Sequence, residues 1–398
     1  MRKIEEDFKK DWEQRKAIDI ADYSKGNGYS KGDLTDAGTP IILYGRLYTK
    51  YQFAISEVDT FAVPRNGAVY SQGNEVIVPA SGETAEDIAR ASAVEKSGVL
   101  LGGDLNILRP FDFINPLFLA LAISNGEPQK ELAKKAQGKS VVHIHNTDIQ
   151  EVTIAYPSRT EQDRIVSVFR QLDNLITLHQ RKLEKLKLVK KSMLEKMFPK
   201  NGSSVPEIRF NGFTDDWEQR KFSELYARSS EKNDGSIGMD KNITVATMQF
   251  KNDVKVSTTE YLKTYYTFKL GDIAFEGHQS KEFRYGRFVE NDIGNGIVSH
   301  IFAVFRPIQE YDLCFWKYAI NNETLMQRIL ARSTKASTMM HDLVTNDFLK
   351  ETFLVPSVKE QKQIGAFLNK LDHLITLHQR KVEKLKILKK SMLEKMFV

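Results

Sequence analysis

A 28-residue segment occurs twice in this chain, 199 residues apart. Gln171–Phe198 reads QLDNLITLHQRKLEKLKLVKKSMLEKMF and Lys370–Phe397 reads KLDHLITLHQRKVEKLKILKKSMLEKMF. Twenty-three of the 28 positions are identical, and three of the five changes exchange one aliphatic side chain for another. The likeness extends upstream, where Pro157-Ser158, Glu161-Gln162 and Ile165 are matched by Pro356-Ser357, Glu360-Gln361 and Ile364. A second echo opens each half: Asp11-Trp12-Glu13-Gln14-Arg15-Lys16 and Asp216-Trp217-Glu218-Gln219-Arg220-Lys221. Such a repeat excludes a single-domain reading. The 398 residues suit two domains of about 150 residues with connecting elements.

The repeated segment reads as a helix. Ile165, Phe169, Leu172, Ile176, His179, Leu183, Leu186, Lys190, Met193 and Met197 follow the alternating four- and three-residue spacing of a heptad seam. The second copy gives Ile364, Phe367 or Leu368, Leu371, Ile375, His378, Val382, Leu385, Lys389, Met392 and Met396. Pro157 and Pro199 punctuate the first copy. A run of roughly 35–38 helical residues makes a rod of about 50–55 Å, and two rods with matching seams are expected to pack on each other. His179 and His378 then serve helix register rather than metal binding. Arg181, Lys182, Lys185, Lys187, Lys190 and Lys191 recur as Arg380, Lys381, Lys384, Lys386, Lys389 and Lys390. A solvated helix face explains charge there, but a packed seam does not require Thr-Leu-His-Gln-Arg-Lys twice. The regions before the helices, about 17–155 and 222–354, share almost no alignable sequence. The helices therefore read as doing one job twice, for two copies of one partner, and the modules as doing two jobs.

Apolar residues are 41% and charged residues 28% of the chain, and 23 Phe with 14 Tyr suffice to fill two cores. The net charge of +6 is compatible with a polyanionic partner. Cys314 stands alone among Leu313, Phe315 and Trp316, so no intrachain disulfide forms, which suits a reducing compartment. Met1-Arg2-Lys3-Ile4 opens no apolar secretion signal, and no stretch approaches the length of a membrane span, so a cytoplasmic protein is expected.

Both modules mix short strand-like runs with turns. In the first, residues 40–44, 75–78, 98–101 and 151–154 read as strands and Pro116–Ala122 as a helix. In the second, residues 243–248, 273–275, 287–289, 296–305 and 352–355 read as strands, with one helix from Leu313 to about Leu330. The expected class is α+β, with mixed, largely antiparallel sheets. Four polar loops stand out. Glu276–Arg287 carries His278, Gln279, Lys281, Arg284 and Arg287; residues 332–338 carry Arg332 and Lys335. Residues 44–51 carry Arg46, Tyr48 and Lys50, and residues 134–140 carry Lys134, Lys135 and Lys139. Arginine and lysine read guanine edges, glutamine reads adenine, and any of them holds phosphate.

Familiar catalytic signatures are incomplete. Asn115-Pro116-Leu117-Phe118 is close to the adenine-methyltransferase motif but has Leu at its third position and no accompanying glycine-rich loop, so it reads as a helix start. Gly294-Asn295-Gly296 lacks the third glycine of a dinucleotide fingerprint, and no phosphate-binding Walker loop occurs. His143-Ile144-His145 places two histidines on one face of a strand without cysteine or acidic company, poor support for zinc.

Taken together, the tryptophan-containing opener, a variable module, a Pro-x-x-x-Glu-Gln lead-in and a long helix, all twice, resemble the specificity subunit of type I restriction–modification systems. The linker Ile208-Arg209-Phe210-Asn211-Gly212-Phe213 also fits. The resemblance implies two target recognition domains, residues 1–155 and 201–354, and two spacer helices, 156–200 and 355–398, forming an antiparallel coiled coil. It implies that each module reads half of a split, asymmetric site in double-stranded DNA. It also implies helices that fix the spacing and dock two modification subunits, with two restriction subunits completing the assembly. On the helices the expected partner-facing residues are Leu172, Ile176, His179, Arg181 and Lys182, with Leu371, Ile375, His378, Arg380 and Lys381. No catalytic residue, metal or cofactor is expected in this chain; S-adenosylmethionine, ATP and Mg are expected in the partners. Two rivals stand beside this reading: an adaptor with two binding modules on a coiled-coil spacer that clamps something other than DNA, and an enzyme hidden in one module.

Overall fold

In each half the repeated opener is a strand that closes onto the end of its own module. Glu13–Lys16 pairs antiparallel with Thr153–Tyr156, and Glu218–Lys221 with Thr352–Val355. The run Glu-Gln-Arg-Lys has no apolar face, so the strand is held by its partner and by contacts such as Lys16 Nζ donating to the Glu151 carbonyl at 2.6 Å. The structure, a computed structural model, describes residues 12–138, 141–200, 202–251, 258–338 and 340–397. Asp11 of the first opener and Lys139 fall outside them. The chain divides into two compact units, one of residues 1–179 with 381–398 and the other of residues 180–380.

The first unit has a sheet in the order Ala21–Lys25, Leu105–Pro110, Glu75–Pro79, Ser92–Val94, Ala54–Ile55, antiparallel except for the last pair. A second sheet joins Leu34–Thr35, Phe61–Ala62, Thr39–Ile42, Ser97–Leu101 and Tyr70–Gln72. Ile42, Leu47, Ile77, Leu101 and Ile107 form a core shared by the two sheets. Helix Pro116–Ile123 packs on the first sheet, buried over nearly all its length. This explains why Pro116-Leu-Phe-Leu-Ala-Leu-Ala-Ile carries no polar stripe.

The second unit repeats this plan. Its sheet runs Tyr226–Ser229, Ala303–Pro307, Ile273–Glu276, Arg287–Glu290, all antiparallel. Order and direction are those of the first four strands above. The helices also correspond: Pro116–Ile123, Gly126–Lys135 and Asn146–Gln150 in one unit, Leu313–Ile320, Glu323–Ser333 and Thr345–Lys350 in the other. The modules thus share a fold despite unrelated sequences, because burial pattern is what the fold requires and many sequences meet it. One echo survives. Arg109-Pro110 and Arg306-Pro307 end the same strand, and each arginine faces a buried carboxylate: Glu75 at 3.8 Å and Asp272 at 2.9 Å.

Several expected elements are redrawn. The strand placed at 151–154 is Thr153–Tyr156, because a helix with a His145/Asp148 capping box occupies 146–150. The run 243–248 is a strand only at Ile243–Thr244, then turns back to pair with Gln249–Phe250. The run 296–305 is two strands, Gly296–Val298 and Ala303–Pro307, and the helix from Leu313 is broken after Ile320, where the Asn322 side chain caps a second helix. The apolar runs were visible; the turns within them depend on polar caps.

The long helices are Arg159–Lys196 and Val358–Met396. Each begins on a buried glutamine of the repeated Pro-x-x-x-Glu-Gln. Gln162 Nε2 donates to the carbonyls of Pro157 and Phe113, at 2.8 and 3.1 Å, and its Oε1 accepts from Asn115 N at 2.8 Å. Gln361 repeats this with the Pro356 carbonyl and Asp312 N. The motif is therefore a clamp between the helix start and the module's first buried helix. Gly365 lies one turn on, where a Cβ would come within 2.6 Å of Phe315 N, so the second helix passes that junction at a distance only glycine permits.

Within each unit the helix segments pack antiparallel. In the first, Phe397 lies against Trp12 and Phe118, beside the start of the helix at Glu161, and Lys389 meets Asp173 further along. Gly126 takes a positive φ where the Phe397 carbonyl accepts from Glu127 N at 3.1 Å. In the second, Phe198 lies against Trp217 and Phe315, and Lys190 meets Asp372. The expected seam is the buried one: Ile165, Phe169, Leu172, Ile176, Leu183, Ile364, Leu371 and Val382 are all buried, and Leu368 rather than Phe367 takes the inner position of the second copy.

Candidate nucleic-acid interface

In the second unit two loops singled out from sequence form one surface. Glu276 and Arg287 are the paired ends of a hairpin. Beside its tip, Thr334–Ala336 pairs with His341–Leu343. The two are joined by backbone: His341 N donates to the Gly277 carbonyl at 2.8 Å, and His278 bridges to Met340. A Cβ on Gly277 would lie 2.2 Å from the His341 carbonyl oxygen, so only glycine allows this approach. The Tyr285 ring stands edge-on to His341 at 5.3 Å.

The side chains on this surface divide into two sets. His278, Gln279, Lys281, Arg284 and Lys335 are exposed. Lys281 and Lys335 make no ion pair among the described residues. Arg287 is instead built into the hairpin: its Nε donates to Glu276 at 2.8 Å, Nη2 to the Ala246 carbonyl, and the guanidinium lies over Phe283. Arg332 ends a helix and is held by both Glu351 oxygens, a pairing that raises its pKa. Glu323, whose backbone-facing oxygen receives Arg284 N, has its carboxyl pKa raised by burial.

The predicted residues of the first unit are more committed. Residues 46–49 form a single helical turn. Arg46 is nearly enclosed and bonds to Asp59, Gln52 and the Glu57 carbonyl. Lys50 takes the other Asp59 oxygen at 2.5 Å, and hydrogen bonds from Lys50 and Arg46 hold the Asp59 carboxyl well below its ordinary range. Tyr48 donates to the Ser81 carbonyl at 2.7 Å, and burial pushes its hydroxyl pKa up. Lys134 and Lys135 end a helix rather than lying in a loop; Lys134 is exposed and Lys135 is paired with Glu151. The two regions do converge: Ser81–Gly82 pairs with Val142–His143, which bridges back to Gln137. Sequence reasoning missed Arg90, whose guanidinium lies over both Tyr48 and Tyr51. No local pattern announces it, since it comes from the loop between two core strands.

On the helices, Leu172, Ile176 and Leu371 are buried within their own units, and Ile375, His179 and His378 are half-buried. Arg181, Lys182, Arg380 and Lys381 are exposed. The apolar members of the expected partner set therefore lie in the seam, and its cationic members are exposed.

The histidine pair is also separated. His143 is in a strand, its Nδ1 3.1 Å from Ser81 Oγ, and His145 caps a helix. Among the described residues no cluster of three or more His, Cys, Asp or Glu is placed to hold a metal. No helix among them is long and apolar enough to cross a membrane.

Two modules of one fold, each seated on antiparallel helix segments, are the architecture of a known family. The family of type I restriction modification DNA specificity domains matches residues 9–188 and 214–386. The chain belongs to this family of type I specificity subunits. It is similar to the MjaVIII type I restriction enzyme specificity subunit of Methanocaldococcus jannaschii, 21% identical over 344 residues, covering 82% of this chain and 79% of that one. The putative MjaX specificity subunit of the same organism is 29% identical over 127 residues, 30% of this chain and 29% of its own. Among solved structures, the S subunit from M. genitalium superposes with a TM-score of 0.59 at 14% identity, covering 98% of this chain and 96% of that one. The HsdS subunit from Thermoanaerobacter tengcongensis gives 0.51 at 16% identity, covering 98% and 97%.

Proposed function

We propose that this chain is the DNA-reading subunit of a type I restriction–modification complex in the cytoplasm. Each module binds one half of a two-part, asymmetric duplex site, and the long helices set the number of unread base pairs between the halves. The exposed cationic residues Arg181, Lys182, Arg380 and Lys381, repeated on both helices, dock two modification subunits, and two restriction subunits complete the assembly. The chain itself is non-catalytic. S-adenosylmethionine, ATP and Mg are held by the partners, where adenine is flipped and methylated.

One observation carries this reading. The two modules share the order of four central strands and three helices but present different side chains at the surfaces the sequence singled out. His278, Gln279, Lys281, Arg284 and Lys335 are exposed in one, whereas Arg46, Tyr48 and Lys50 are internally engaged in the other. One scaffold carrying two chemistries is what reading two unlike half-sites needs. Major-groove recognition requires donors and acceptors on a protruding element, and the 276–287 hairpin with its neighbouring strand pair supplies them. The test is the salt dependence of duplex binding by the assembled complex. Phosphate contacts make the logarithm of affinity fall linearly with the logarithm of salt concentration; a flat response rejects DNA as the ligand.

A further inference from the structure

Each long helix carries one lysine in an otherwise largely apolar stretch of its seam. These are Lys190, flanked along the heptad by Leu183 and Met197, and Lys389, flanked by Val382 and Met396. In the first unit Lys389 Nζ donates to Asp173 at 2.6 Å under the Phe53 ring, 5.4 Å from its centroid. In the second, Lys190 Nζ lies 2.6 Å from Asp372 under the Tyr318 ring, at 5.3 Å, and Tyr318 Oη donates to the same carboxylate at 2.7 Å. All four charged side chains are largely covered, between 22 and 35% exposed. Lys190 and Lys389, like Asp173 and Asp372, stand 199 residues apart, so the repeat has kept both members of both pairs.

We infer that Lys190 and Lys389, through Asp372 and Asp173, determine the orientation and register of the helix pair and thereby the half-site spacing of the proposed recognition function. The reason lies in the alternatives that two near-identical helices offer. Pairing parallel and in step, within a chain or between two chains, sets Lys190 against Lys389 and Asp173 against Asp372, like charge on like. An antiparallel slip of one heptad sets Asp173 against Val382 or Met396, and Asp372 against Leu183 or Met197, leaving half-buried charges alone. Of these arrangements, only the observed register pairs both lysines. An apolar seam of the same helices tolerates all of these arrangements. A buried polar residue at one seam position is the known means of removing such freedom, and it serves specificity more than stability.

The test replaces both lysines by the residue the seam otherwise uses there, Lys190→Met with Lys389→Met, in the full chain assembled with its modification subunits. The melting temperature is expected to fall, because Asp173 and Asp372 lose their partners while still partly covered. Orientation and register are expected to degrade, seen as self-associated species in sedimentation or as additional spacer lengths among the methylated sites. One heptad of helix rises about 10.5 Å, against about 34 Å per DNA turn, so the additional spacers differ by about three base pairs. Exchanging the charges within each pair (Asp173→Lys with Lys389→Asp, Asp372→Lys with Lys190→Asp) restores one species and one spacer. Zero-length carbodiimide coupling of the wild-type chain, without DNA, joins Asp173 to Lys389 and Asp372 to Lys190. The inference is overturned if the double-methionine protein keeps one species and one spacer, whatever its melting temperature, or if the charge exchange fails to restore them. If the couplings form but wild type gives no methylation pattern, the recognition reading fails while the pairing stands.

Discussion

Gln162→Ala tests the reading of Pro-x-x-x-Glu-Gln as a clamp. The Gln162 side chain is fully buried and makes three hydrogen bonds, to Asn115 N and to the carbonyls of Pro157 and Phe113. Alanine leaves one buried N–H and two carbonyl oxygens without that partner. A buried group left unsatisfied costs about 1–3 kcal/mol, and the carbonyls, with second lone pairs, sit at the low end of that range. A loss of about 3–4 kcal/mol therefore follows. For a unit of roughly 200 residues each kcal/mol moves the midpoint by about 2–4 °C, so the first unit's transition falls by roughly 6–16 °C in calorimetry of the full chain. Gln162→Glu sharpens the test because it keeps shape and the acceptor for Asn115 N but replaces the amide donor with an oxygen facing two carbonyls. It is expected to be at least as harmful at neutral pH and to recover in acid, where the carboxyl gains a proton to donate. A shift below about 2 °C for the alanine variant, or a neutral-pH glutamate variant as stable as wild type, would refute the clamp.

Three further outcomes are expected. Phe397→Ala empties the site against Trp12 and Phe118 and is expected to cost about 3–5 kcal/mol in the first unit; an unchanged first-unit melt would show that the helix tip is not part of that core. Glu290 is buried, with neither carboxylate oxygen hydrogen-bonded among the described residues, and burial pushes its pKa up to about 10, with Asp292 and Asp312 adding repulsion and Lys317 opposing them. Its folded pKa exceeds its unfolded one, so its own contribution to stability is greatest in acid and falls as pH rises from about 4.5 toward 10, by up to about 1.4 kcal/mol per pH unit. Glu290→Gln should flatten that slope in urea titrations of the second unit, and a parallel slope in the variant would remove Glu290 as its source. Alanine at Lys281 and at Lys335 is each expected to lower the salt slope of DNA binding by about 1 if the side chain meets a phosphate; a change confined to one base position would instead assign a base contact.

How much was legible follows from what repeats. Heptad spacing located both helices and nearly every buried seam residue, because a long apolar period marks one face of a helix packed against another. The strands Glu75–Pro79 and Ser97–Leu101 were also visible as apolar runs. The common module fold was not, since Ala21–Lys25 and Tyr226–Ser229 share position in the sheet but no sequence. Polar loops were found by composition, which cannot tell a free arginine from an engaged one. Arg284 is exposed, whereas Arg46 is closed in by Asp59, 13 residues further along the chain, and Arg287 by Glu276 across a hairpin. Gln162 is legible as part of a motif, but its role is not, because its partner Asn115 lies 47 residues away in sequence.

We propose that one fold here carries two independent readers. Sequencing methylated adenines in a host that carries this chain with its modification subunit tests it most directly, before and after the module of residues 222–354 is exchanged for that of a relative. The expected result is a two-part asymmetric site with one fixed spacer, of which the exchange alters one half and leaves the other half and the spacer unchanged. A continuous site, or an exchange that rewrites both halves, would contradict it.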